Sequence, residues 1–149
     1  MTKSSQKTEI RAVIDTHIFV PAIAGIQPEA RFYHGIIFKC WKLIFSEHIS
    51  KEYQRVINEY GYTAVVIIHE QNKLYAMNKY RYSDANPENV EDELAPRRNR
   101  HIVAPCKQGR ANVIVTNDPG IHQRKTTILR ETGARVLSLS EAQQALDAE

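Results

Sequence analysis

The sequence has little that marks a disulfide or zinc scaffold. Its two cysteines, Cys40 and Cys106, stand far apart and form no CxxC pair, so no disulfide framework is expected and a reducing, cytoplasmic setting fits. Its six histidines show no zinc-type spacing with those cysteines, which argues against structural zinc. No apolar run is long enough to span a bilayer, and no membrane partner is expected. The opening MTKSSQKTE is polar and lacks an apolar h-region. Residues 1–10 are therefore expected to be a flexible N-terminal arm rather than a signal peptide. There is no GxSxG, so the signature of a serine nucleophile is missing. No glycine-rich phosphate loop follows the first apolar run, so a flavodoxin-like binding fold lacks its usual anion cradle.

What is present is globular. The chain has 149 residues, 25% of them charged and 42% hydrophobic, which suits one domain over 11–149 with a sizeable core. The formal charge of +3 permits a polyanionic partner without demanding one. Apolar runs alternate with helical patterns. Strands are expected over 11–15, 42–46, 111–116 and 135–139, and helices over 16–24, from Pro28 to about Gly35, from an N-cap at Ser50 to Tyr60, and over 63–80. Residues 81–97 are polar and read as a connection with at most one short strand. Helices are then expected over 99–108, over 119–131 with Gly133 as the stop, and after a capping box of Ser140 and Gln143. Strands separated by helices imply a three-layer α/β/α domain around a mainly parallel sheet.

Acidic residues recur at the strand ends. Asp15 closes the run RAVI, Asp118 follows VIVTN, and Glu52 lies in the opening turn of the helix after the second strand. In an open parallel sheet, ligands gather outside the carboxyl ends of the strands. Each acid also has a local explanation: Asp15 and Asp118 suit N-caps, the latter before Pro119, and Glu52 suits a helix dipole. Three carboxylates in one crevice would repel unless a cation compensates, and oxygen ligands favour Mg²⁺ or Mn²⁺.

The blocks VIDTHIFVPAIAG, FSEHISKEYQRVINEYGY, NRHIVAPCKQGRANVIVTNDPGI and GARVLSLSEA resemble, in order and spacing, the PIN domain, and within it the toxin components of prokaryotic toxin–antitoxin systems. The resemblance spans Arg11 to Ala142. It implies a metal-dependent ribonuclease acting on single-stranded RNA, with an antitoxin protein and a homodimer as further partners. It places Asp15, Glu52 and Asp118 at metal-binding acidic positions and Thr116 at the threonine before the last acid. Asn99 stands where the family has an aspartate in a "DRHIVA"-like block, and His17 where a small polar residue is usual. Asn99 removes one negative charge, so reduced activity is expected, with Asn99 a weak ligand and Asp92 or Glu93 the acids that could compensate.

The expected chemistry is phosphodiester hydrolysis with Asp15, Glu52, Asn99 and Asp118 at the centre and one or two Mg²⁺ or Mn²⁺ ions as cofactor. Arg97, Arg98 and Arg100, which flank Asn99, are expected to position the strand together with Thr116. Lys107 and Arg110 follow on the same segment, and Tyr80 and Tyr82 beside Lys79 and Arg81 are candidates to stack on bases. A second reading is a PIN-like module that binds RNA or protein and cleaves weakly or not at all. A haloacid-dehalogenase phosphatase is disfavoured, because His17 occupies the place of its second aspartate.

Overall fold

The computed structural model describes residues 9–149. The N-terminal arm, as far as Thr8, lies outside them. Five short strands form an all-parallel sheet: β1 (Arg11–Ile14), β2 (Lys42–Phe45), β3 (Tyr80–Tyr82), β4 (Val113–Val115) and β5 (Arg135–Leu137), in the order β3-β2-β1-β4-β5. The central strands read RAVI, KLIF and VIV, and the first residues of RAVI and KLIF are the only ones among them not fully buried. A parallel strand covered on both faces needs such continuous apolar runs.

Helices α1 (Thr16–Ile23) and α2 (Glu29–Ile37) connect β1 to β2, and α3 (Glu47–Ile57) and α4 (Val65–Ala76) connect β2 to β3. The chain then crosses back over the sheet. A short α5 (Arg100–Lys107) leads into β4, α6 (Pro119–His122) and α7 (Lys125–Thr132) lead to β5, and α8 (Leu139–Asp147) ends the fold. The right-handed rule for parallel crossovers assigns α1 to α4 to one face and α5 to α7 to the other, and α8 returns to pack on α2. The result is the expected three-layer α/β/α arrangement. Among the described residues no helix is long and apolar enough to cross a membrane.

Strand order reverses between β1 and β4, which are paired Ile14 to Val115. The backbone N–H of Asp15 extends that ladder by donating to the Val115 carbonyl at 2.9 Å, so Asp15 and Thr116 leave the sheet side by side. Behind them sits an aromatic cluster. The Phe19 ring stacks on Tyr53 at 4.3 Å and meets Phe45 and Tyr33 edge-on. Each such pair contributes about 0.5–1.5 kcal/mol beyond its burial. The buried Tyr53 hydroxyl donates to the Ile14 carbonyl and so pins α3 to the end of β1.

Several local expectations are corrected. Ser46, not Ser50, caps α3: it follows β2 in an extended conformation and accepts from the Ile49 N–H at 3.1 Å. Glu52 consequently lies a full turn into the helix. The helix expected over 63–80 ends at Ala76, because Asn78 adopts the left-handed conformation and the Asn78 and Lys79 N–H groups return to Tyr75 and Leu74. That C-cap turns the chain into edge strand β3. Asn99 lies in a 3-10 turn over Arg97–Asn99 that precedes α5. The helix expected over 119–131 is broken between His122 and Lys125. Helix α2 runs past Gly35 to Ile37. The last capping box is Ser138 with Glu141, since β5 stops at Leu137.

Candidate metal and phosphodiester site

Asp15 and Asp118 come together at the strand-order reversal. They line one cavity of about 220 Å³ with His17, Ile18 and Asn117. Both are helix N-caps: Asp15 Oδ1 accepts from the His17 N–H at 3.3 Å and Asp118 Oδ1 from the Gly120 N–H at 2.7 Å. Capping occupies one oxygen of each carboxylate. A cap engages only part of a carboxylate that offers about four lone-pair sites.

Thr116 joins the two acids. Its hydroxyl donates to Asp15 Oδ2 at 2.5 Å and accepts from the Asp118 N–H at 3.0 Å. The residue is fully buried. Thr116, expected as a substrate-positioning residue, is thus placed to orient the two acids. The His122 ring meets the Thr116 carbonyl at 2.6 Å, and Asn117 Oδ1 accepts from the Leu139 N–H at 3.0 Å. The segment 116–118 is held along its length.

Asn99 belongs to this cluster. It is buried, and its Nδ2 donates to Asp118 Oδ2 at 3.2 Å. Glu52 does not share the cavity. Its carboxylate lines a neighbouring one of about 350 Å³ with His48, Lys51, Arg55, Arg97 and His101. Arg55 grips it through Nε and Nη2, at 3.1 and 2.8 Å, and holds its pKa below the usual carboxylate range.

His101 was not among the expected site residues, although it sits in the NRHIVA block. Burial pushes its imidazole below the ordinary histidine value, while the nearby Glu52 and Asp15 carboxylates act in the opposite direction. It lines the Glu52 cavity. His17 reaches the first cavity from outside, with Nδ1 3.8 Å from Asp15 Oδ1.

The arginines divide. Arg97 and Arg98 are exposed on the 3-10 turn, and Arg98 Nη2 lies 4.0 Å from Asp118 Oδ1. Arg100 points elsewhere: its side chain is 15% exposed and paired with Asp92, against 72% exposure for Arg98. Arg100, expected to position the strand, is thus engaged with Asp92, and Asp92 is occupied by it. Lys107 pairs with Glu91, and Glu93 is exposed away from the two cavities. Tyr82 on β3 is exposed, whereas Tyr80 stacks on Phe45 at 5.0 Å.

The donor set fits a hard divalent cation in a restricted way. Asp15 Oδ1 accepts one long hydrogen bond and retains further lone pairs, and Asp15 lines the cavity. Among the described residues no three His, Cys, Asp or Glu side chains are grouped to hold a metal. Two carboxylates suffice for an ion of the Mg²⁺ type, which keeps several waters and completes its sphere with substrate phosphate. No protein-family model and no curated protein sequence matches the chain.

Proposed function

We propose that the chain is a Mg²⁺- or Mn²⁺-dependent endoribonuclease that cleaves phosphodiester bonds in single-stranded RNA, of the kind that serves as the toxin of a toxin–antitoxin pair. The observation that carries this reading is the pairing of Asp15 and Asp118 in one cavity, joined through the Thr116 hydroxyl at the reversal of strand order. The motif blocks that resemble a PIN domain lend it support. An antitoxin protein and a second copy of the chain are the partners that go with it.

The chain's own residues divide the work. Asp15 and Asp118 supply fixed negative oxygen donors on rigid strand ends. Thr116 and the helix-capping N–H groups hold their rotamers, so little reorganisation is needed when substrate arrives. Mg²⁺ or Mn²⁺, when bound, lowers the pKa of a water and offsets phosphate charge. Arg97, with Lys51 and His48 across the second cavity, attracts the polyanionic strand toward the acids.

The second reading is a weak or inactive PIN-like binding module. It is favoured by the Asn99 amide donating to Asp118 and by Glu52 being turned onto Arg55. One experiment separates the two: cleavage of a labelled single-stranded RNA with added Mn²⁺, by the wild type and by Asp15→Asn. Loss of cleavage in the variant with RNA binding retained is the expected result. An RNA that the wild type binds and never cuts would establish the binding module. An RNA cut equally by both proteins would remove Asp15 from the mechanism.

A further inference from the structure

A further cavity at the carboxyl edge lies on the β5 side of the acids. Its volume is about 440 Å³, and it is lined by Pro28, Arg31, Asn117, Leu139, Ser140 and Gln144, among others. Asn117 belongs both to this cavity and to the one that holds Asp15 and Asp118. The two cavities therefore share a wall residue.

The chemistry of this cavity differs from that on the opposite side of the acids. The Glu52 cavity is rimmed by Lys51, Arg55 and Arg97 and suits phosphate. The Asn117 cavity offers apolar walls from Pro28 and Leu139, with hydroxyl and amide groups from Ser140 and Gln144. Its one cation, Arg31, has Asp147 at 4.0 Å. A slot with one exposed arginine, apolar walls and an amide rim is poorer for a phosphate than the Glu52 cavity and good for a planar heterocycle. Bases of unpaired RNA are bound in this way, by stacking on side chains and by hydrogen bonds to their edges. Neutral amides suit base edges because each presents a donor and an acceptor.

We propose that this cavity binds a nucleobase of the RNA strand next to the phosphate held at Asp15 and Asp118, and so sets the base preference of the enzyme. This rests on the nuclease reading above. The strand would run across the edge of the sheet, with its phosphates toward α3 and one base turned into the slot beside α8. Gln144 stands at the rim, outside the core, and is the side chain placed to read the base edge.

The test uses the full chain and four homopolymeric RNA oligonucleotides, of A, C, G and U, with dissociation constants measured at one salt concentration. The wild type is expected to favour its best homopolymer over its worst on the order of tenfold, the size of one good base-edge interaction. Ser140→Trp places a ring into the slot from the exposed first turn of α8, and Gln144→Ala removes the amide without filling space. Both should bring the four constants within about twofold while leaving the slope of binding against salt unchanged, since no phosphate-binding group is touched. A base preference that survives both variants overturns the proposal, as does a wild type that binds all four alike. Failure of the wild type to bind any of the four overturns the nuclease reading itself, together with this inference.

Discussion

Replacing Asn99 with aspartate tests the candidate site most directly, because it alters one functional group at a defined position. In the structure the Asn99 amide donates to Asp118 Oδ2 at 3.2 Å in a buried position. Asn99→Asp exchanges that donor for a second carboxylate. The hydrogen bond it removes, to a charged acceptor, is worth about 1.5–3 kcal/mol. Two carboxylates 3.2 Å apart would add repulsion of about 5 kcal/mol at an effective dielectric near 20. Proton uptake by the pair, or rotation of one side chain, relieves most of that repulsion. A net loss of roughly 2–3 kcal/mol in metal-free protein is expected, or about 5–10 °C in Tm for a chain of this length. The pH dependence has a defined sign. The folded variant holds a carboxyl whose pKa is raised above its unfolded value. Its stability should therefore match the wild type near pH 4 and fall behind as pH rises through the raised pKa. Mn²⁺ should close most of the gap between the two proteins. It offsets the added charge, so the variant should bind more tightly, and Mn²⁺ at about 100 times the dissociation constant adds about 2.7 kcal/mol. The measurements are thermal melts of both proteins against pH, with and without Mn²⁺, and a calorimetric Mn²⁺ titration. An unchanged metal-free Tm together with equal Mn²⁺ responses would refute the placement of Asn99 against Asp118.

Four further outcomes are expected. Alanine at Arg97 and Arg98 should weaken RNA binding and flatten the slope of log K against log salt by about 0.7 for each phosphate no longer neutralised, measured by fluorescence anisotropy. Arg100→Ala should leave that slope unchanged and lower Tm instead, because Arg100 is spent on Asp92 from a largely buried position. Thr116→Val keeps the shape of the side chain and removes the hydroxyl that joins Asp15 to the Asp118 backbone. It should cost about 1–3 kcal/mol in chemical denaturation and abolish most cleavage while the far-ultraviolet spectrum is retained. Burial pushes the Cys106 thiol up to about 12, while Cys40 is exposed. Alkylation at pH 8 should add one label to the folded chain, at Cys40, and a second only on denaturation, as read by mass spectrometry.

Local patterns in the chain were sufficient for the layers of the fold and for the two central acids. RAVI and VIV can be little other than buried strands, and an acid that follows such a strand and precedes a helix is placed by backbone geometry alone. Asp15 and Asp118 were legible for that reason, as were Pro119 after its cap and Gly133 at a helix end. The edge strand Tyr80–Tyr82 was not, because its three residues carry no period and its existence follows from the left-handed turn at Asn78 and from pairing with β2. The capping serines were legible as a type and misplaced in position: Ser46 and Ser138 were chosen over Ser50 and Ser140 by where β2 and β5 stop pairing. Only the tertiary structure decided which charges remain available. Arg97, Arg98 and Arg100 are alike in sequence, yet one is tied to Asp92 and two face the crevice. Glu52 reaches the right edge of the sheet and is held there by Arg55, while His101 acquires its place between two carboxylates from the packing of α5 beside β1. Periodicity and capping depend on neighbours within a few residues, and the chain states them directly. The partner of a long charged side chain is set by competition among groups distant in sequence, and only the folded chain brings those groups together.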